Sequence, residues 1–104
     1  MKTTYSKNSN WNDNAELQCL MAYKLLKEAD FPRGMQIQIC DNLSSKLNIS
    51  KGSLSAKIAN YKSVAGDNKS SNASKNTIYF FSQFHHVTVN QLREIIEKTN
   101  QQLV

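Results

Sequence analysis

The chain has 104 residues, a formal net charge of +5 and a pI of about 9.3, and 39% of its residues are hydrophobic. This length fits one domain and excludes doubly wound nucleotide-binding folds, (β/α) barrels and most multidomain enzyme architectures. The surplus of positive charge favours a nucleic acid as the partner.

The net charge is concentrated in the middle of the chain. Basic and acidic residues are equal in number within residues 1–42 and again within 85–104, so the whole surplus lies in 43–84. This segment contains one acidic residue, Asp67, and these lysines: Lys46, Lys51, Lys57, Lys62, Lys69 and Lys75. Such a field fits a polyanion, and a solvated lysine-rich surface is the alternative.

The first part of the chain predicts a tail followed by a helix. Residues 1–10 are polar and without periodicity, which predicts a disordered tail before a single helical domain over 11–104. Asn12 or Asp13 is expected to cap a first helix over about 14–29. Apolar residues cover much of the circumference of this helix, which predicts a central position in the fold.

The rest of the chain predicts further helices and no sheet. Pro32 and Gly34 mark a break after the first helix. Ser50 and Ser74 are expected to cap two of the later helices, and Thr88 with Gln91 has the spacing of a capping box. The expected helices span about 36–47, 51–64 and 75–85, the last with Ile78, Phe81 and Phe84 as its apolar residues, and a final helix follows Thr88. The predicted fold is all-α, a compact bundle of about five short helices.

The segment from about 39 to 64 predicts a helix-turn-helix. Asn48 occupies the turn position that usually requires a left-handed backbone, which asparagine tolerates. The apolar contacts of the motif are expected from Leu43, Leu47, Ile49, Leu54 and Ile58. A helical hairpin with no role in DNA binding is the structural alternative.

A helical wheel of the second helix in this motif separates two faces. Leu54, Ile58, Tyr61 and Ala65 form the expected core face, and the opposite face carries the short residues Ser53, Ala56, Asn60 and Ser63. Lysines flank the short residues on both edges, which would let the helix lie in a major groove while ammonium groups reach phosphates. The candidate DNA contacts, including the following polar loop, are Lys51, Ser53, Ser55, Lys57, Asn60, Lys62, Lys69, Asn72 and Lys75. Asn60 could read an adenine edge, and the absence of arginine from this segment predicts modest sequence specificity.

The sequence offers little to catalysis. Cys19 and Cys40 lie within apolar helical patterns and are expected to be buried free thiols. His85 and His86 form the only histidine pair, and it lacks cysteines or carboxylates at metal-ligand spacing. We therefore expect no enzyme activity, no cofactor and no metal. Because no apolar window reaches the length of a membrane span, we expect a cytoplasmic protein.

Three stretches of the chain resemble a known family. Residues 11–23, 51–61 and 72–75, the last reading Asn-Ala-Ser-Lys, are similar to the small N-terminal domain that precedes HNH nuclease domains in some bacterial restriction-type endonucleases. The resemblance covers most of 11–96, and its most specific part is Gly52 to Tyr61. It implies that the domain helps to engage DNA, a role that would include Lys57 and Asn60. No HNH segment is present in the residues after 84, so cleavage is not implied.

These observations predict a non-enzymatic DNA-binding module from a bacterium or a phage. The alternative is a protein-binding module: a phage-encoded inhibitor of a nucleic-acid-guided or restriction defence nuclease, or an accessory subunit of a nuclease. The expected partner is accordingly double-stranded DNA or a protein–nucleic acid complex. The two hypotheses differ in whether the protein alone binds duplex DNA.

Overall fold

Helices make up the regular secondary structure of the part of the chain that the structure describes. The structure is a computed structural model that describes residues 3–6, 8–67 and 73–102. In chain order the helices are α1 (Asp13–Glu28), α2 (Met35–Leu47), α3 (Lys51–Ala65), α4 (Lys75–Phe84) and α5 (Val89–Gln102). No strand occurs within these ranges, and the radius of gyration, 12.9 Å, is that of a compact domain of this size. The predicted all-α bundle of about five helices is confirmed.

Helix α1 is the centre of the bundle. Asn12 caps it, because the Asn12 Oδ1 accepts a hydrogen bond from the Ala15 N–H at 2.9 Å. Helix α1 contacts each of the other four helices. It buries side chains around most of its circumference: Ala15, Leu17, Cys19, Leu20, Ala22, Tyr23 and Leu26. The central position predicted from its apolar pattern is confirmed.

Helices α2 and α3 are consecutive and pack against each other across a three-residue turn. Asn48 ends α2 in the left-handed conformation, with φ of 56°, as the sequence predicts. Ile49 is buried, and the Ser50 Oγ accepts from the Ser53 N–H at 3.2 Å and so caps α3. Two packed helices joined by a short turn are therefore present, and their identity as a DNA-binding helix-turn-helix stays a prediction.

Helices α4 and α5 both begin at the predicted caps. The Ser74 Oγ accepts from the Thr77 N–H at 3.2 Å. Thr88 and Gln91 form a reciprocal capping box, with hydrogen bonds of 2.9 and 3.1 Å. The expectation for Ile78 in the apolar face is wrong: Ile78 is 50% exposed, and Phe80 is buried. Helix α4 is thus rotated relative to the predicted face. Thr77 faces the interior, where its hydroxyl accepts a hydrogen bond from Lys57 of α3.

The described residues before α1 make hydrogen bonds with the bundle, and the disordered tail over 1–10 stays a prediction. The Thr4 N–H donates to the Asn76 Oδ1 at 3.4 Å, and the Asn76 side-chain amide donates to the Thr4 carbonyl at 2.7 Å. Tyr5 donates to Asp13 at 2.8 Å. The Asn10 amide donates to the carbonyl of Asn48 at 2.7 Å. These hydrogen bonds join the residues before α1 to side chains of α1 and α4 and to the carbonyl that follows α2, a type of interaction that apolar periodicity does not reveal.

Both cysteines are buried free thiols, as predicted. Cys19 is 0% and Cys40 is 3% exposed. Burial raises the pKa of each thiol above its ordinary value. The thiolate that cysteine chemistry requires is therefore disfavoured at both positions.

Candidate nucleic-acid interface

Helix α3 divides into a buried face and an outward face, as the helical wheel predicts. Leu54, Ile58 and Tyr61 are 0% exposed, and Ala65 packs against them at the edge of the core. On the opposite side Gly52, Ser53 and Ala56 are exposed, and Asn60 and Ser63 are half-buried. We call Gly52, Ser53, Ala56, Asn60 and Ser63 the α3 strip. No side chain of the strip is longer than that of asparagine, so its first two turns present a low surface to solvent.

Gly52 is the residue in the α3 strip that the fold explains least. It lies inside a helix with an ordinary helical backbone, where alanine is more stable than glycine by roughly 0.5–1 kcal/mol. A Cβ atom added at Gly52 would have no neighbour within 4 Å. Neither backbone conformation nor packing therefore requires glycine at this position. A glycine here leaves the start of α3 open to close approach by another molecule.

Lys57 does not extend from the strip, contrary to its predicted role as a DNA contact. Its side chain is 14% exposed, and its Nζ lies 2.7 Å from the Oε1 of Glu16, which is 1% exposed. Lys57 Nζ also donates to Thr77 Oγ1 at 3.0 Å and to Ser74 Oγ at 3.4 Å. It lies 4.9 Å from the centre of the Trp11 ring. Lys57 is therefore a structural cation that joins α3 to α1 and α4, and we leave it out of the interface.

The second carboxylate oxygen of Glu16 also accepts a hydrogen bond. The Tyr61 hydroxyl donates to the Glu16 Oε2 at 2.6 Å. Burial and the Glu16 carboxylate raise the pKa of Tyr61 above its ordinary value, so the phenol stays protonated and continues to donate. We call Glu16, Lys57, Tyr61, Ser74 and Thr77 the Glu16 network. A substitution Lys57→Glu would place a second carboxylate against Glu16, so it would damage the fold and could not test DNA binding.

Glu16 is not among the predicted functional residues, although its position in the sequence indicates a buried carboxylate. Cys19, Leu20 and Tyr23 follow Glu16 at three, four and seven residues, which places the carboxylate on an apolar face of α1. A carboxylate at such a position needs a buried cation. Its partner is forty-one residues away, and its identity required the structure.

The two lysines on the α2 side of α3 remain near solvent. Lys51 pairs with Asp41 at 3.1 Å, with side chains 66% and 49% exposed. Lys62 Nζ donates to the neutral Gln36 Oε1 at 2.8 Å and lies 5.0 Å from the centre of the Phe31 ring. The Gln36 amide donates to Ser55 Oγ at 2.9 Å, so Ser55 faces α2 and lies beside the strip. Exposed pairs of this kind contribute little to stability and can exchange for phosphate contacts.

The loop between α3 and α4 holds the remaining predicted contacts. Lys75 is exposed at the first position of α4 and has no ion-pair partner among the described residues. Lys69 and Asn72 lie outside the described residues, so their role stays a prediction. Asn60 already makes an interaction within the chain and is not an unoccupied base-reading group.

Asp67, the acidic residue of the lysine-rich segment, ties the start of this loop to α1. It accepts a hydrogen bond from the Tyr23 hydroxyl and pairs with Lys27 at 3.1 Å. The Tyr23 and Lys27 hydrogen bonds lower the pKa of the Asp67 carboxyl. Asp67 therefore pairs with a lysine of α1, and among the described lysines of 43–84 none forms an ion pair with it.

Residues of the types that bind metal ions do not cluster in the described part of the chain. Within the described residues, histidine, cysteine, aspartate and glutamate form no group of three that could hold a metal ion. His85 and His86 are exposed at the end of α4, where the sequence places a solvated pair. None of the helices in the described part of the chain combines the length and apolar character that crossing a membrane requires.

A comparison of the chain with sequence profiles of protein families, with curated proteins and with solved structures finds no significant match in any of the three.

Proposed function

We propose that the protein binds double-stranded DNA, without catalysing a reaction, by laying the α3 strip in the major groove. The observation that carries the proposal is the outward face of α3: Gly52, Ser53 and Ala56 are exposed in a helix whose other face is fully buried. A major groove admits a helix, and short side chains let the helix axis come close to base edges. Gly52, for which the fold gives no reason, fits a position that touches DNA.

Electrostatics supports the same partner. Lys51 and Lys62 flank the strip on the α2 side, and Lys75 is exposed at the start of α4. Lys57 of α3 contacts Ser74 and Thr77, which shows that the start of α4 lies beside α3. Lysines on both sides of a helix can contact phosphates on the two walls of a groove and release counterions, which makes binding weaken with salt.

The proposed interface favours affinity over sequence recognition. Residues 43–84 contain no arginine, the residue that makes the commonest specific contact with guanine. The hydroxyl of Ser53 already bonds to that of Ser50 at 2.8 Å. We therefore expect modest discrimination between duplex sequences. The resemblance of 51–61 to a domain of restriction-type endonucleases supports a DNA-engaging role in a bacterium or a phage.

A bulky side chain placed on the α3 strip tests the proposal. Gly52→Tyr adds a side chain into open space, so the fold should be retained while the ring holds α3 away from the groove. We expect the affinity for a random-sequence duplex, measured by fluorescence anisotropy, to fall by about tenfold or more. Gln83→Tyr, on the exposed face of α4, is the matched control and should leave affinity unchanged. Equal affinity of wild type and Gly52→Tyr would contradict the proposal.

A second candidate function has one observation in its favour. Ile37 of α2 is 67% exposed, and it lines the same cavity as Ser55 and Lys62. An exposed isoleucine gains nothing from phosphates and fits a protein surface. The alternative is thus an inhibitor or accessory subunit that binds a defence nuclease already holding nucleic acid. It predicts no complex with duplex DNA alone, and an Ile37→Ser variant that loses the complex with such a nuclease.

A further inference from the structure

A cavity that includes no residue of the α3 strip lies between several helices. Its volume is about 420 Å³, and α1, the end of α3, the end of α4 and the beginning of α5 line it. Leu20 and Val89 are buried at its base, and Ala65, Phe81 and Val87 are partly buried around them. Polar residues line it as well: Tyr23, Lys24, Lys27, Glu28, His85 and Thr88. The cavity thus combines an apolar surface with several polar groups, and its volume is in the usual range for a small-molecule site.

Lys24 uses two of its three N–H donors within the chain. Its Nζ donates to the carbonyl of His85 at 2.7 Å and to the carbonyl of Val87 at 2.9 Å. An ammonium group has three N–H donors, so one remains. No carboxylate lies within ion-pair distance of Lys24 among the described residues. Burial lowers the pKa of Lys24, which shows that its charge is partly desolvated.

The other cation of the cavity is already neutralised. Lys27 pairs with Asp67, which in turn accepts a hydrogen bond from Tyr23. Glu28 lines the same cavity and acts electrostatically on Lys24 without forming an ion pair with it, so a ligand should carry no more than one negative charge. Lys24 is the lysine of the cavity that can face this charge.

The aromatic groups favour a flat ligand. The ring of His85 stacks on that of Phe81, with centroids 5.1 Å apart and planes at 20°. Both residues line the cavity, so a flat apolar body could lie against them.

We propose that this cavity binds a small monocarboxylate with a flat apolar body. The carboxylate accepts the remaining N–H of Lys24, and the body covers Leu20, Phe81 and Val87. The charge of Lys24 then faces a carboxylate in place of neutral carbonyl oxygens alone. This inference does not depend on DNA binding, because it uses none of the residues of the α3 strip.

Two-dimensional amide NMR with naphthalene-2-carboxylate as the probe tests the proposal. We expect saturable shifts that concentrate at Leu20, Phe81 and Val87. Naphthalene-2-carboxamide has the same body without the charge, and it should bind about tenfold more weakly or worse. Lys24→Met should weaken the carboxylate by a similar factor and leave the carboxamide unchanged. Lys24→Arg, which keeps the charge, should retain most of the affinity.

A matched control is Lys46→Met, because Lys46 lines a different cavity between α1 and α2. It should leave binding of the carboxylate unchanged. Equal affinity for the carboxylate and the carboxamide, shifts centred on another surface, or no saturable binding would each overturn the proposal. The comparison of the two probes uses only the wild-type protein, so it decides the question even if Lys24→Met does not fold.

Discussion

The two edges of α3 carry lysines in opposite states. On the edge toward α1 and α4, Lys57 is 14% exposed and pairs with a buried carboxylate. On the edge toward α2, Lys51 has an exposed partner and Lys62 has a neutral one. Both Lys51 and Lys57 pair with a carboxylate, but the exposed Lys51–Asp41 pair is weakened by solvent and can open, whereas the buried Lys57–Glu16 pair cannot open without a large cost. The positive segment 43–84 therefore divides into a cation that holds the fold together and cations that are available to a ligand.

The largest loss of stability is expected when the buried ion pair between Lys57 and Glu16 is disrupted. Lys57→Met leaves the Glu16 carboxylate buried without a cation, which should lower the free energy of unfolding by about 3–5 kcal/mol. Lys51→Met removes only an exposed pair and should cost less than about 1 kcal/mol. Urea denaturation followed by circular dichroism measures both. Equal losses for the two variants would mean that the two edges do not differ as described.

A smaller effect is expected at the helix caps. Ser74 caps α4 and also accepts a hydrogen bond from Lys57, whereas Ser50 caps α3 outside the Glu16 network. Ser74→Ala should therefore cost nearer to about 2 kcal/mol and Ser50→Ala nearer to about 1 kcal/mol. Thermal unfolding of the two variants measures the difference. The reverse order would place the stabilising contacts of Lys57 elsewhere.

Two glycines should respond with opposite signs. Gly52→Ala should raise the free energy of unfolding by roughly 0.5–1 kcal/mol, because the helix gains propensity and the new methyl group meets nothing. Gly66 ends α3 with φ of 86°, so Gly66→Ala should lower it by about 1 kcal/mol. Urea denaturation of the two variants gives the signs. Destabilisation by Gly52→Ala would show that the fold itself needs this glycine.

The smallest effect concerns pH and Asp67. Tyr23 and Lys27 hold the pKa of Asp67 below its ordinary value of 3.8, so the stabilisation is present above that pH and is lost as the pH falls through the lower, folded value. Asp67→Asn should reduce the melting temperature at neutral pH, and the difference from wild type should shrink in acid. Glu94→Gln, at an exposed residue of α5 without an ion pair among the described residues, is the control. If the difference in melting temperature between wild type and Asp67→Asn stays constant down to acid pH, the Lys27–Asp67 ion pair does not supply the stabilisation.

Local patterns were enough to predict most of the fold. Asn12, Ser50 and Ser74 all cap the helices that the sequence assigned to them, and Asn48 adopts the left-handed conformation. The buried face of α3 follows from its helical period alone. Each of these features depends on residues within a few positions of one another.

The state of each lysine could not be predicted in the same way. Lys57 and Lys62 look alike in the sequence, and they differ because Glu16 faces one and Gln36 faces the other. These partners lie forty-one and twenty-six residues away, so only tertiary packing brings them together. The exposure of Ile78 also depends on a distant residue. Thr77 is buried in place of Ile78, and its hydroxyl accepts a hydrogen bond from Lys57, twenty residues away.

The dependence of DNA affinity on salt tests the division of the lysines most directly. The logarithm of the binding constant for a duplex, plotted against the logarithm of salt concentration, has a slope that reports the number of phosphate contacts. Lys75→Gln should reduce the magnitude of this slope by about 1. The double variant Glu16→Met with Lys57→Met, which leaves the net charge unchanged, should keep the wild-type slope once its fold is verified by circular dichroism. A slope that falls in the double variant and stays unchanged in Lys75→Gln would contradict the account.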